Sequence, residues 1–388
     1  MFTRPSTSIN ARRRPRSQYR LMEDVEDLHR YRPGGYLPLQ VGDSLADGRY
    51  QLVGKLGHGG YSTIWLARDC REARYVAVKV LTADASSHSS SSEVRVLRSL
   101  ASASSRPLWD EFWVVGCNGR HRCVVTPPAR MSLFDAKEEE ASGTSMIAQL
   151  IRGVAFLHSL GFYLHLGNIL VQFPRSIDSI SPSELYERYG DPESEDVVRL
   201  DGPPLAEGVP TRDRPLGEAA ITLSDFGESF APCETVRVAS KTLPLLQPPE
   251  ARFSDEPLSC AVDVWGLACC VWEILGQRPL FETSRCSGSL PGEWWGRWGR
   301  RREWTGRAGP GGGRRSWERR FEESIQKPRA EGGDERAALM EMLRAMLAFR
   351  PEERITARQA LQSRWMSGWG MPALQESGGI SGTRMERT

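Results

Sequence analysis

The sequence predicts an α+β chain of two lobes, a β-rich N-terminal lobe followed by a helical C-terminal lobe. Its 388 residues, at about 100–200 per domain, allow two compact lobes. From Tyr50 to residue 126 short segments alternate apolar and polar residues or run β-branched, whereas after Gly143 apolar residues recur at helical spacing. A hydrophobic share of 39% supports a sizeable core, and 37 Gly with 25 Pro predict long irregular stretches within it. The net charge of +2 does not argue for nucleic acid or membrane. No apolar run approaches the ~18 residues of a membrane span. The eight Cys form no C-x-x-C pair, which reads as reduced thiols in a cytoplasmic or nuclear protein and excludes secreted and zinc-ribbon readings.

Residues 1–30 read as a disordered basic tail. The first twenty carry six Arg and no acid, so a solvated tail and a transit peptide compete. Residues 31–130 form the N-lobe with its lead-in, YRPGGYLPLQVGD, punctuated by Pro33-Gly34-Gly35. Three strands follow, YQLVGKLG, YSTIWLARD and ARYVAVKVL, then a short helix near 92–100. Asn118-Gly119 joins EFWVVGC to HRCVVT as a hairpin. Residues 131–366 form the C-lobe. MIAQLIRGVAFLHSL sets Ile147, Leu150, Ile151, Val154 and Leu157 on one stripe. VDVWGLACCVWEIL is nearly continuously apolar and predicts a buried helix, and ERAALMEMLRAML and TARQALQSRW predict amphipathic ones. Inserts are expected at about 173–220 and 283–318, and a disordered tail at 367–388.

The chemistry-bearing residues lie between and after the strands. Leu56, Gly57, His58, Gly59, Gly60, Tyr61, Ser62, Thr63 and Ile64 make a strand–turn–strand flap whose glycines let backbone N–H groups approach phosphates. An ordinary hairpin turn is the alternative. Twenty-two residues after Gly57, Val76-Ala77-Val78-Lys79 places a Lys on an otherwise apolar strand. Alone it is an edge charge; beside the flap it becomes a phosphate contact. Glu93, on the next helix, is placed to pair with Lys79, against the reading of a surface Glu. Asp225-Phe226-Gly227 follows ITLS, an arrangement suited to holding Mg²⁺. These features, in this order, are the protein-kinase signature.

The chain therefore resembles a eukaryotic protein kinase, and more narrowly an SR-protein kinase, over roughly residues 31–366. Family-specific runs are the lead-in, SDFGESF, LQPPEARF and GEWWGRW. The resemblance implies the bilobal protein-kinase fold and transfer of the ATP γ-phosphoryl group to Ser in Arg/Ser-rich, splicing-factor-like proteins. ATP would lie on residues 56–64 and Lys79, with Mg²⁺ on Asn168 and Asp225. It further implies a buried pair between Glu250 and Arg354, and an Asp263 that accepts backbone hydrogen bonds from the catalytic loop. A monomer is expected, with no membrane or nucleic-acid partner. The Trp- and Arg-rich stretch 294–320 invites an RNA reading, but Trp294, Trp295 and Trp298 match the family's packing positions.

The catalytic loop departs from this pattern. It should read roughly H-x-D-x-x-x-x-N, yet the chain reads Gly161-Phe162-Tyr163-Leu164-His165-Leu166-Gly167-Asn168. Five residues before Asn168 stands Tyr163, where the catalytic Asp belongs; an H-G-D triplet is absent. His158 lies ten residues before Asn168, on the preceding helix, and is not the loop His. A phenol of pKa ~10 is neutral at pH 7 and makes no general base. His165 is nearby. The lost triplet predicts either loss of the short strand before the loop or fraying of the helix ending near Leu160. A pseudokinase scaffold, a degenerate paralogue and a splice-junction error hiding an active enzyme compete as causes. A small-molecule kinase is disfavoured by PPE, by Trp265-Gly266 beside Asp263, and by Arg354, which shape a protein-substrate platform.

Overall fold

The computed structural model describes residues 25–87, 96–98, 108–132, 143–163, 169–173, 175–192, 194–195, 209–210, 221–223, 229, 235–240, 242, 246–278, 280, 317–325 and 333–379. They fall into two units. The first is drawn from Met1–Ser87, Phe112–Val124 and Ser181–Asp213, the second from His88–Glu111, Val125–Ile180 and Arg214–Thr388.

The alternating segments form the expected sheet in the first unit. Its strands are β1 (Ser44–Leu45), β2 (Tyr50–Gly59), β3 (Ser62–Asp69), β4 (Arg74–Leu81), β5 (Asp110–Gly116) and β6 (Gly119–Thr126), ordered β1-β2-β3-β4-β6-β5. The first four pair antiparallel, with Tyr50 opposite Asp69 and Ser62 opposite Leu81. Leu52 and Trp65 are buried, and the neighbours Tyr75 and Val76, which point to opposite faces of β4, are both buried too, so β4 is covered on both sides; Tyr50 stacks on Phe112 at 5.3 Å. Asp69 closes the β3–β4 turn: its Oδ1 accepts from Arg71 N and Glu72 N, and both its oxygens accept from Arg49. A five-residue helix α1 (Ala83–Ser87) follows β4. Of the short helix expected near 92–100, only 96–98 are described, in helical conformation.

In the second unit, α2 (Gly143–Ser159) buries Ile147, Leu150, Ile151, Val154 and Leu157, the stripe its periodicity predicts. A small antiparallel sheet joins β7 (Ala129–Ser132), β8 (Ile169–Gln172) and β11 (Ile221–Leu223) in the order β11-β8-β7, whereas β9 (Ser194–Glu195) and β10 (Val209–Pro210), in the first unit, pair antiparallel with each other. The apolar run becomes α5 (Ala261–Leu275), with Trp265 and Trp272 wholly buried. Trp272 meets Trp317 and Phe321 of α6 (Trp317–Ser324) at 5.4 and 6.1 Å. Helix α7 (Gly333–Met346) packs on α5, and α8 (Ala357–Leu361) packs on α2, its N-terminus closed by a capping box of Thr356 and Gln359.

Three boundaries differ from expectation. Residues 25–30 are not tail: Glu26 is buried and Leu28–Arg30 form a 3₁₀ turn. The insert at 173–220 holds a regular helix, α3 (Pro182–Tyr189), entered through Ser181 and Pro182 with a Ser181–Glu184 capping box. Tyr186 donates from this helix to Val53 O at 2.7 Å, tying it to β2. Beyond residue 366 a π turn, Met366–Gly370, leads into α9 (Met371–Gly379), which packs on α2. The 283–318 insert lies outside the described residues apart from Trp317 and Glu318. Among the described residues, no helix is long and apolar enough to cross a membrane.

Candidate functional site

The flap is the tip of the β2–β3 hairpin. Gly57, His58 and Gly59 face Ile64, Thr63 and Ser62. A register shift between Lys55 and Gly57 bulges the strand at Leu56, and Gly57 takes φ +156°, a backbone region open to glycine. A Cβ on Gly57 would meet nothing within 4 Å. On Gly59 and Gly60 the nearest atoms would be Ser62 Oγ at 3.7 Å and Arg30 Nη1 at 3.9 Å. The protein's own packing therefore leaves the glycine faces open, as a closely approaching phosphate requires, and the flap fits a nucleotide. His58 and Tyr61 are exposed, whereas Leu56, Ser62 and Thr63 are buried. The Thr63 hydroxyl accepts from Trp65 Nε1 at 3.1 Å and so serves the core, not a ligand surface. Lys79 pairs with Ile64 across β3–β4, so the flap and the Lys stand on adjoining strands. Its expected partner Glu93 lies outside the described residues.

In the second unit the candidate Mg²⁺ ligands are approached through β8 and β11. Ile169 pairs with Leu223, so the chain enters β8 and leaves β11 at the same end of the ladder. Asn168 is the residue before Ile169, and Asp225 comes two after Leu223. Both, with His165, lie outside the described residues. Their side-chain oxygens are hard donors suited to Mg²⁺. Among the described residues no group of three or more His, Cys, Asp or Glu is placed to hold a metal ion.

Tyr163, which stands where the catalytic Asp of the family pattern belongs, is described. Helix α2 runs to Ser159 without fraying and closes at Gly161, whose N–H donates to His158 O at 3.0 Å with φ +78°. Where a short strand is expected before the loop, Tyr163 forms a bridge, the one strand-type residue among the described residues 160–163. Its side chain is 4% exposed and packs against Leu258, Val262 and Ala251. Burial pushes the phenol above its ordinary value and the Asp263 carboxylate adds to this, while a hydrogen bond with Ser240 pulls the other way. A neutral, buried phenol in an apolar cluster is a packing group. It does not stand in for the catalytic Asp.

Asp263, on the first turn of α5, is buried as expected, and its described partner is the side chain of His158 at 2.9 Å. A carboxylate only accepts, so Nε2 carries the hydrogen. The loop backbone expected to donate to Asp263 lies in 164–168, outside the described residues. His158 is thus a supporting residue that the sequence reading set aside.

The Glu250–Arg354 pair is present. Glu250 opens the short helix α4 (Glu250–Phe253), and its two oxygens accept from Arg354 Nη1 and Nη2 at 2.6 and 3.0 Å. Arg354 also donates to the carbonyls of Ala348, Ala261 and Phe349, and packs 5.1 Å from the Trp265 ring centroid. Upstream, Gln247 donates to the carbonyls of Ser240 and Thr242, and Leu258 N donates to Arg237 O at 2.7 Å. The described residues between 235 and 258 are thereby stitched together. Sequence gave no signal for Ser240 or Gln247, whose partners are backbone carbonyls and a distant phenol. Burial lifts the Cys270 thiol to about 12 and Cys269 well above its ordinary value, so both stay protonated and inert.

No protein-family model matches the chain. It is 26% identical to a Ser/Thr protein kinase of Aspergillus fumigatus over 88% of this chain and 90% of that protein. It is 38% identical to the Ser/Thr protein kinase spk-1 of Caenorhabditis elegans over 26% of this chain and 11% of that one. SRSF protein kinase 3 of Mus musculus is 32% identical over 37% of this chain and 28% of its own length. A solved kinase domain superposes with TM-score 0.50 at 14% identity, covering 85% of this chain and 98% of that domain. The chain has the protein-kinase fold and is similar to Ser/Thr protein kinases, an SRSF protein kinase among them.

Proposed function

We propose that the chain binds ATP with Mg²⁺ and acts on Ser in Arg/Ser-rich, splicing-factor-like proteins, as a monomer in the cytoplasm or nucleus. The observation that carries the nucleotide reading is the β2–β4 ladder, which sets the open glycine flap and Lys79 on adjoining strands. The flap's backbone N–H groups and the Lys79 ammonium would hold the phosphates; Asn168 and Asp225 would hold Mg²⁺, which would offset phosphate charge. The lead-in, SDFGESF and GEWWGRW runs support the substrate class.

A second reading, a nucleotide-binding scaffold with impaired transfer, is favoured by the buried Tyr163. Without a carboxylate to accept the hydroxyl proton, the chain keeps positioning and phosphate binding but loses the ~10²–10⁴-fold of a general base. A thermal-shift titration with Mg-ATP tests nucleotide binding, since saturation at 100 Kd stabilises by about 2.7 kcal/mol. A flat titration to millimolar ATP would reject it, and Lys79→Met should abolish the shift. On peptide arrays the substrate reading expects Arg-Ser sequences to be preferred over Ser-Pro; the reverse preference would overturn it.

A further inference from the structure

The segment before β1 reaches the flap. Glu26 lies buried between two donors from different parts of the first unit: Lys55 Nζ at 2.5 Å, from β2, and the Tyr31 hydroxyl. The 3₁₀ turn Leu28–Arg30 starts at Asp27, whose carboxylate accepts from His29 N at 3.0 Å. The Pro33-Gly34-Gly35 turn then folds the chain back. Gly34 takes φ +87°, and a Cβ on Gly35 would stand 1.6 Å from Arg30 O, so both positions require glycine. This turn is fastened on its far side. Gly34 N donates to Asn118 O, Asp84 N donates to Gly34 O, and Asn118 Nδ2 donates to Tyr36 O.

Two side chains leave this anchored segment for the flap tip. The Tyr36 hydroxyl donates to Gly59 O at 2.8 Å. The Arg30 guanidinium lies 5.0 Å from the Tyr36 ring centroid and 5.4 Å from that of Tyr61, the flap-tip aromatic that is otherwise 68% exposed. The same guanidinium is the nearest atom to the open face of Gly60. A glycine-rich hairpin tip has high chain entropy. Here it is held from outside by a planar cation between two rings and by one hydrogen bond to a flap carbonyl.

We infer that residues 25–36 form a strap that fixes the tip of the glycine flap, with Arg30 and Tyr36 as positioning residues for the phosphates of a bound nucleotide. The phosphate part rests on the proposed nucleotide site; the strap itself does not. The broad guanidinium lies near both rings at once, a reach that a compact Lys ammonium does not match.

Hydrogen exchange of the amides of residues 57–63 in the nucleotide-free full chain is the direct test. Arg30→Ala and Tyr36→Phe are each expected to speed exchange of that peptide about fivefold, the size of one exposed cation–π contact or one net hydrogen bond, and Arg30→Lys should behave like Arg30→Ala. Tyr36→Phe keeps the buried ring, so it tests the strap without risk to the fold. Affinity for Mg-ATP should fall about fivefold in the same variants, while affinity for adenosine, which lacks phosphates, stays unchanged. A general loosening of the unit would weaken both ligands together and would overturn the positioning role. Flap exchange equal to that of the parent chain in both variants would overturn the strap. A parent chain that binds no ATP but shows faster flap exchange in the variants would sink the nucleotide reading and leave the strap standing.

Discussion

Arg354→Ala should unfold the second unit at a markedly lower temperature. The Arg354 side chain is fully buried, and its partner Glu250 is 13% exposed. All five guanidinium N–H donors are engaged, two on Glu250 and one each on the carbonyls of Ala348, Ala261 and Phe349. Removing the cation strands a nearly buried carboxylate and three carbonyls, and breaking one side of such a pair costs about 3–5 kcal/mol. At about 2–4 °C per kcal/mol for a unit of this size, Tm should fall by roughly 6–20 °C. Glu250→Gln keeps the shape and the three carbonyl bonds, so its cost should be smaller, about 1.5–3 kcal/mol. Differential scanning calorimetry of the parent and the two variants measures both. A Tm drop for Arg354→Ala of less than about 2 °C, or a larger drop for Glu250→Gln, would refute the reasoning.

Three further outcomes are expected. Glu26→Gln should destabilise by about 3 kcal/mol at pH 7 by taking the buried carboxylate away from the Lys55 ammonium, whereas the Glu26→Leu/Lys55→Met double variant should recover most of that loss; urea melts distinguish the two. Burial works to raise the Glu26 carboxyl, but the Lys55 charge and the bonds from Lys55 and Tyr31 outweigh it and set the carboxyl below its ordinary range. Its contribution is therefore complete above the ordinary carboxylate pKa of about 4.3 and is lost as pH falls through the lowered folded value, so the parent's advantage over Glu26→Gln should shrink only in acid. Tyr163→Phe should cost about 1 kcal/mol for the Ser240 bond and leave phosphoryl transfer unchanged; a fall of ~10²-fold or more would make the phenol the base.

What was legible in the sequence followed from local rules. Alternation within residues 50–81 gave three strands, Asn118-Gly119 gave the hairpin, and the stripe from Ile147 to Leu157 gave α2, because each pattern is written over a few consecutive residues. Pairings across long separations were not. Glu26 fell within the expected disordered basic tail because Lys55 lies 29 residues away, and His158 showed no link to Asp263, 105 residues on. Glu250 and Arg354, 104 residues apart, were found through the family motif and not through any local pattern. Counting back from Asn168 put Tyr163 at a catalytic position, but the count assumes that an intact loop fixes the spacing. With the triplet absent, the side chain packs where burial is most favourable. The last helix was hidden by Gly and Pro around Met371, which suit a Pro at the first turn and a glycine near the end.

We propose that the chain keeps the kinase framework and lacks the general base alone. Transfer of phosphoryl from ATP to an Arg/Ser peptide, compared between the chain itself and a variant with His-Gly-Asp inserted between Tyr163 and Leu164, tests it directly. The insertion keeps Leu164 to Leu170 in register and puts an Asp five residues before the Asn. The variant is expected to turn over at least ~10²–10⁴-fold faster than the chain itself. Equal rates in the two, whether both robust or both absent, would contradict the claim.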